Sequence, residues 1–207
     1  VRPATSQVQD LIKEAKLCVA KGERVLVTVL TKKMAENLSE YISKTNLRSK
    51  YLHSDIDTLK RIEILRELRE GNFDLLIGVN LLREGLDLPE VSLVVVLDAD
   101  KAGFLRSKSS LMQVAGRASR NLGGFVILYA DSQTDAIKYL IEETKRRREI
   151  QIEFNKNNNI SPKTIYKSTD DVLHTTAVAD SLHNYESKLD FSKSKTGIDF
   201  DKMDKQM

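Results

Sequence analysis

Three short segments carry side chains whose types and spacing suit work on phosphates. The first is Gln113-Val-Ala-Gly116-Arg117-Ala118-Ser119-Arg120. On a helix, residues three and four apart are neighbours, so Gln113, Arg117 and Arg120 share a face. Two guanidiniums and an amide aimed one way form a donor cluster for phosphate oxygens. Gly116 and Ala118 are small and let another surface approach. A solvated basic face needs only two arginines; the full Gln-x-x-Gly-Arg-x-x-Arg spacing is much more specific. The second segment, Asn80-Leu-Leu-Arg83-Glu84-Gly85-Leu86-Asp87-Leu88-Pro89, directly follows a predicted strand. Gly85 permits backbone geometry that other residues resist, and Pro89 ends the turn, so Arg83, Glu84 and Asp87 are displayed from a loop. In the third, Thr28-Val-Leu-Thr31-Lys32-Lys33, hydroxyls and ammonium groups sit at a strand-to-helix junction. Helix N-terminal amides point outward there, which suits a phosphate backbone. Thr31 reads equally well as a helix N-cap.

The elements that must position these segments follow from hydrophobic periodicity. Helices are predicted over 6–21, 32–44, 57–70, about 109–120 with Ser109 as cap, and 132 to about 154. Strands are predicted over 24–30, 48–52, 73–79, 91–97 and 125–129, several of them apolar β-branched runs of the kind buried on both faces. Alternation of strands and helices argues an α/β, three-layer domain with a mostly parallel sheet. Functional loops in such sheets lie at the carboxyl ends of strands. Beyond about 167 the pattern fails. Residues 168–207 hold five lysines against eight acids and read as a partly disordered linker or tail, and residues 1–167 hold 28 basic against 22 acidic side chains. A body of net charge +6 fits a polyanion partner as well as ordinary solvated surface.

Other chemistries are poorly supported. A single cysteine, Cys18, excludes a disulfide framework, and three scattered histidines make a histidine metal cluster improbable. Cys18 reads as packing in a helix, His53 as a polar strand end, and Lys145 to Arg148 as a solvated helix face. No apolar run suits a bilayer or a secretory leader, which points to a reducing, cytoplasmic setting and no membrane. No glycine is followed by Lys-Ser or Lys-Thr, so there is no phosphate-binding P-loop. Asp98-Ala99-Asp100 has the look of a magnesium-binding acidic box. Without a P-loop it reads as a strand end meeting a polar loop.

In order and spacing, the three segments resemble motifs IV, V and VI of superfamily 2 helicases. Together with Tyr51-Leu-His-Ser54 and Asp98 to Arg106, they are similar above all to the helicase-like, damage-verifying subunit of bacterial nucleotide excision repair, over about residues 1–167. The resemblance implies the second RecA-like lobe of a two-lobe motor, residues 1–167, followed by a linker. ATP with Mg2+ would bind between the lobes, with the magnesium ligands in the first lobe, outside this chain. Arg117 and Arg120 would reach the γ-phosphate as catalytic groups, and Gln113, Gly85, Asp87 and Arg83 would contact nucleotide. Thr28, Thr31 and Lys32 would meet DNA. The implied partners are damaged DNA, the UvrA and UvrC subunits and the N-terminal motor lobe. The chain alone should hydrolyse no ATP. The alternatives are the same lobe of another superfamily 2 translocase, or an α/β interaction module that uses no nucleotide.

Overall fold

The computed structural model describes residues 1–53, 56–79 and 88–164. The segment containing Arg83, Gly85 and Asp87, and the proposed tail with its boundary at 167, lie outside the described residues.

Five strands build the centre: β1 (Arg24–Thr28), β2 (Ser49–Leu52), β3 (Leu75–Gly78), β4 (Val91–Val96) and β5 (Phe125–Leu128). Their order in the sheet is β2-β3-β1-β4-β5, and every pairing is parallel. Arg2 extends the sheet by a single parallel bridge to Tyr129 beside β5.

Strand side chains alternate between two apolar layers, as the period of two demands. On one face Val25, Val27, Leu75, Ile77, Leu93, Val95 and Ile127 pack against α1 (Gln7–Val19) and α2 (Lys32–Ser43) through Leu11, Ala15, Cys18, Ala35, Leu38 and Ile42. On the other, Leu26, Leu52, Leu76, Val94, Val96 and Leu128 meet α3 (Thr58–Glu70), α4 (Lys108–Ala115) and α5 (Asp135–Asn157). Cys18 is buried in the first layer, and burial pushes its thiol pKa up, as suits a packing residue.

Helix boundaries have local causes. Thr31, Asp57 and Thr134 cap α2, α3 and α5 by accepting from the N–H groups of Met34, Leu59 and Ile137. Gly71, at φ +82°, supplies the left-handed stop of α3. Two expectations need correction. The cap of α4 is Ser107, whose hydroxyl oxygen accepts from Ser110 N–H, and not Ser109. The helix expected through residue 120 stops at Ala115, and residues Ala118–Arg120 form a separate 3-10 turn. Gly116 is a weak helix former, and its carbonyl is taken by the Ser119 hydroxyl at 2.7 Å.

Candidate functional site

The predicted site residues that fall among the described residues lie at opposite ends of the sheet. Thr28, Thr31 and Lys32 belong to the carboxyl end of β1. Thr28 is buried, and its hydroxyl faces the Val95 carbonyl at 3.4 Å. It is therefore not displayed to a partner, because a strand facing the sheet interior has no solvent side. Thr31 and Lys32 are exposed in the first turn of α2, and that turn contains no acid. Thr31 holds the Met34 N–H at 3.2 Å, so its cap role is real.

Arg106 organises this end. It is only 5% exposed. One guanidinium nitrogen donates to the carbonyls of Leu97 at 2.8 Å and Thr28 at 3.5 Å, while Nε donates to the Asp98 carbonyl at 3.3 Å. It thus caps the ends of β1 and β4. Burial pulls its pKa down to about 10, opposed by the Asp98 carboxylate, so it remains charged at neutral pH. In the sequence, Arg106 stands only at the end of the Asp98 to Arg106 stretch that carries the resemblance. The available signal was an arginine a few residues beyond a buried strand, where carbonyls need donors.

The two acids of Asp98-Ala99-Asp100 serve the fold. Asp98, at φ +48°, is clasped by the Gln7 amide, which donates to its carboxylate at 3.1 Å and accepts from its N–H at 3.2 Å. Asp100 accepts from the Asp131 and Ser132 N–H groups and the Ser132 hydroxyl. Burial opposes its ionisation, yet these donors and its own N–H hold its pKa below the ordinary carboxylate range. Among the described residues no group of acids, histidines and cysteines could hold a metal ion.

Gln113, Arg117 and Arg120 lie at the amino end, contrary to the rule that places functional loops at carboxyl ends. Asn121 approaches the Pro89 carbonyl, just before β4, and Gly124 lies against Ala118, just before β5 begins. Gln113 and Arg120 are exposed and Arg117 is half-buried. Their common placement comes from an α-helical end, a break at Gly116 and a 3-10 turn, not from the continuous helix face expected. Ala118 is buried, so its small size serves internal packing and not an approaching partner. A Cβ on Gly124 would stand 1.9 Å from the Ala118 carbonyl oxygen, so only glycine lets the chain turn into β5 here. Two guanidiniums and an amide form a donor set of the kind that binds anions.

Several other charged side chains are held in ion pairs. Arg48 grips the buried Asp74 with two side-chain bonds, at 2.7 and 3.2 Å, and a backbone N–H at 2.9 Å. Burial would raise the Asp74 pKa, but these bonds outweigh it and hold the carboxyl low. Arg69 pairs with Glu90 at 2.8 Å. His53 stacks on Tyr51, with ring centroids 5.8 Å apart. On the exposed part of α5, Arg146 and Arg147 both bond Glu143 at 2.7 Å and hold its pKa at about 2.

Sheet order, layering and an exposed arginine segment define a class: the chain belongs to the helicase conserved C-terminal domain family, whose model matches residues 6–122. The family model of ultra-violet resistance protein B matches residues 128–170. The chain is 64% identical over 173 residues to UvrABC system protein B of Thermodesulfovibrio yellowstonii, covering 84% of this chain and 26% of that protein. It is 52% identical over 207 residues to UvrABC system protein B of Oceanobacillus iheyensis, covering 100% of this chain and 31% of that protein. The chain thus spans about a quarter to a third of the length of these curated relatives. The resemblance read from the three motifs is borne out by these matches. Among solved structures, the E. coli DEAD-box protein SrmB bound to regulator of ribonuclease activity A has the same fold, with TM-score 0.53 at 21% identity, covering 68% of this chain and 79% of that chain. Among the described residues no helix is long and apolar enough to cross a membrane.

Proposed function

We propose that this chain is the second motor lobe of a UvrB-type excision-repair protein and completes an ATP site shared with a first, P-loop lobe. The observation that carries the reading is the 64% identity to UvrABC system protein B across 84% of the chain. The donor set of Gln113, Arg117 and Arg120, of which Gln113 and Arg120 are exposed, supports it chemically. Arg120 and Arg117 would hold the γ-phosphate oxygens, and Gln113 would orient the nucleotide. ATP supplies the transferring phosphoryl group, whose growing charge such guanidiniums neutralise; fingers of this kind contribute about 10³–10⁵ in rate. Arg83, Gly85 and Asp87 belong to the same proposed pocket, and the ligands for Mg2+ to the first lobe. Thr31 and Lys32 would meet the DNA backbone at the other end of the sheet. In the intact protein the partners would be damaged DNA, UvrA and UvrC, in the cytoplasm. Residues 1–167 form the lobe in this reading and 168–207 the linker.

The experiment joins this chain to the P-loop lobe of a UvrABC system protein B relative. The joined protein should hydrolyse ATP in the presence of DNA, and this chain alone should not. Turnover by the isolated chain, or none by the joined protein with both lobes folded, would overturn the reading.

A further inference from the structure

A surface cleft of about 400 Å³ opens between α1 and α2. Val29 and Leu97, the residues just past β1 and β4, form its floor, with Val8, Met34 and Leu38 as apolar walls. Gln9, Asn37 and Tyr41 also line it; all three are exposed, and no carboxylate does. The Gln7 amide at its edge is committed to Asp98.

The topology gives this position significance. β1 and β4 are neighbours, but the chain leaves β1 for β2 on one side and leaves β4 for β5 on the other. Adjacent strands whose connections depart in opposite directions leave a crevice outside their carboxyl ends, where ligands of open α/β sheets bind. Arg106 fills the crevice above the strand ends. The side between α1 and α2 stays open.

We propose that this cleft receives one unstacked base of a single-stranded nucleic acid. An apolar floor, one aromatic ring and two side-chain amides are what a base needs: stacking on Tyr41 and hydrogen bonds from Gln9 and Asn37 to its edge. The volume lies within the range of small-molecule pockets, about 300–1,000 Å³. Charge favours nucleic acid over an apolar peptide. Lys32 and Lys33 stand in the first turn of α2, the helix that supplies Met34, Asn37, Leu38 and Tyr41 to the cleft. A phosphate flanking the bound base would meet them. The inference builds on the proposed DNA contact at Thr31 and Lys32, and adds a base site beside it.

The test uses this 207-residue chain with methionine methyls labelled, an oligothymidylate, an oligoadenylate, and an abasic strand of equal length. With base-containing strands the Met34 methyl resonance should move while that of Met112, on the other face of the sheet, stays. The abasic strand should leave Met34 unmoved. Tyr41→Ala should weaken binding of the base-containing strands about tenfold, leave abasic binding unchanged, and be rescued by Tyr41→Phe. Equal affinity for abasic and base-containing strands, an unmoved Met34, or an ineffective Tyr41→Ala would overturn the proposal. Lys32→Glu separates the two ideas. If it leaves every affinity unchanged while Tyr41→Ala weakens the base-containing strands, the backbone contact fails and the base site stands.

Discussion

The two ends of the sheet use the same side chain in opposite ways. At the carboxyl end Arg106 is turned inward and spent on carbonyl oxygens of β1 and β4. The nearby carboxylates of Asp98 and Asp100 likewise accept hydrogen bonds from Gln7, Asp131 and Ser132. At the amino end, Arg48 and Arg69 pair with Asp74 and Glu90, while Arg120 stands exposed on a short turn. Guanidinium chemistry alone does not tell a structural arginine from a functional one. Burial and the identity of the acceptor do. An arginine that saturates strand-end carbonyls fixes a scaffold, whereas an exposed one presents its guanidinium at the surface, where it can meet an anion.

The contrast can be broken from either side. The largest effect should come from Gly124→Ala, because the new methyl would collide with the Ala118 backbone carbonyl. We expect a loss of more than about 3 kcal/mol in chemical denaturation. Gly123→Ala is the control, since its Cβ meets only a side-chain oxygen at 3.5 Å. Next is Arg106→Met, which leaves the carbonyls of Thr28, Leu97 and Asp98 without this donor and should cost about 2–3 kcal/mol. An equal loss from Arg120→Met would erase the proposed difference between the two arginines. Asp74→Asn should cost about 1–2 kcal/mol at neutral pH. The folded Asp74 carboxyl titrates below its unfolded value, so its contribution is full above the ordinary carboxylate range and is lost as pH falls through the lower, folded value. Denaturation midpoints followed down the acid range should therefore fall less steeply in the variant. The smallest effect belongs to Thr31→Ala, which removes the cap of α2 and should cost about 1 kcal/mol by thermal unfolding.

Much of this architecture was legible in the residues. Val25 to Val27, Leu75 to Gly78 and Val91 to Val96 are short runs that are apolar apart from Ser92, and their alternation with amphipathic helices forces a parallel sheet between two helical layers. The donor set of Gln113, Arg117 and Arg120 was legible as well, but its local shape was not. Helical spacing treats Gly116 as a weak helical position, whereas Ser119 takes its carbonyl and Ala118 must reach the buried base of the sheet. The segment's place at the amino end follows from topology. α4 starts from the carboxyl end and runs antiparallel to the strands, so whatever follows it arrives at the amino end. The burial of Thr28 was hidden because a threonine in a strand looks alike whether it faces solvent or a neighbouring helix layer. Arg106 escaped notice as a scaffold residue because its partners are backbone oxygens, which no side-chain motif records.

If Arg120 acts on nucleotide and not on the fold, ATP turnover at saturating DNA, in the protein that joins this chain to a P-loop lobe, is where its loss should show. Arg120→Ala should lower turnover by about 10³-fold or more, with the unfolding midpoint and DNA affinity unchanged. Unchanged turnover, or a loss explained wholly by unfolding, would contradict it.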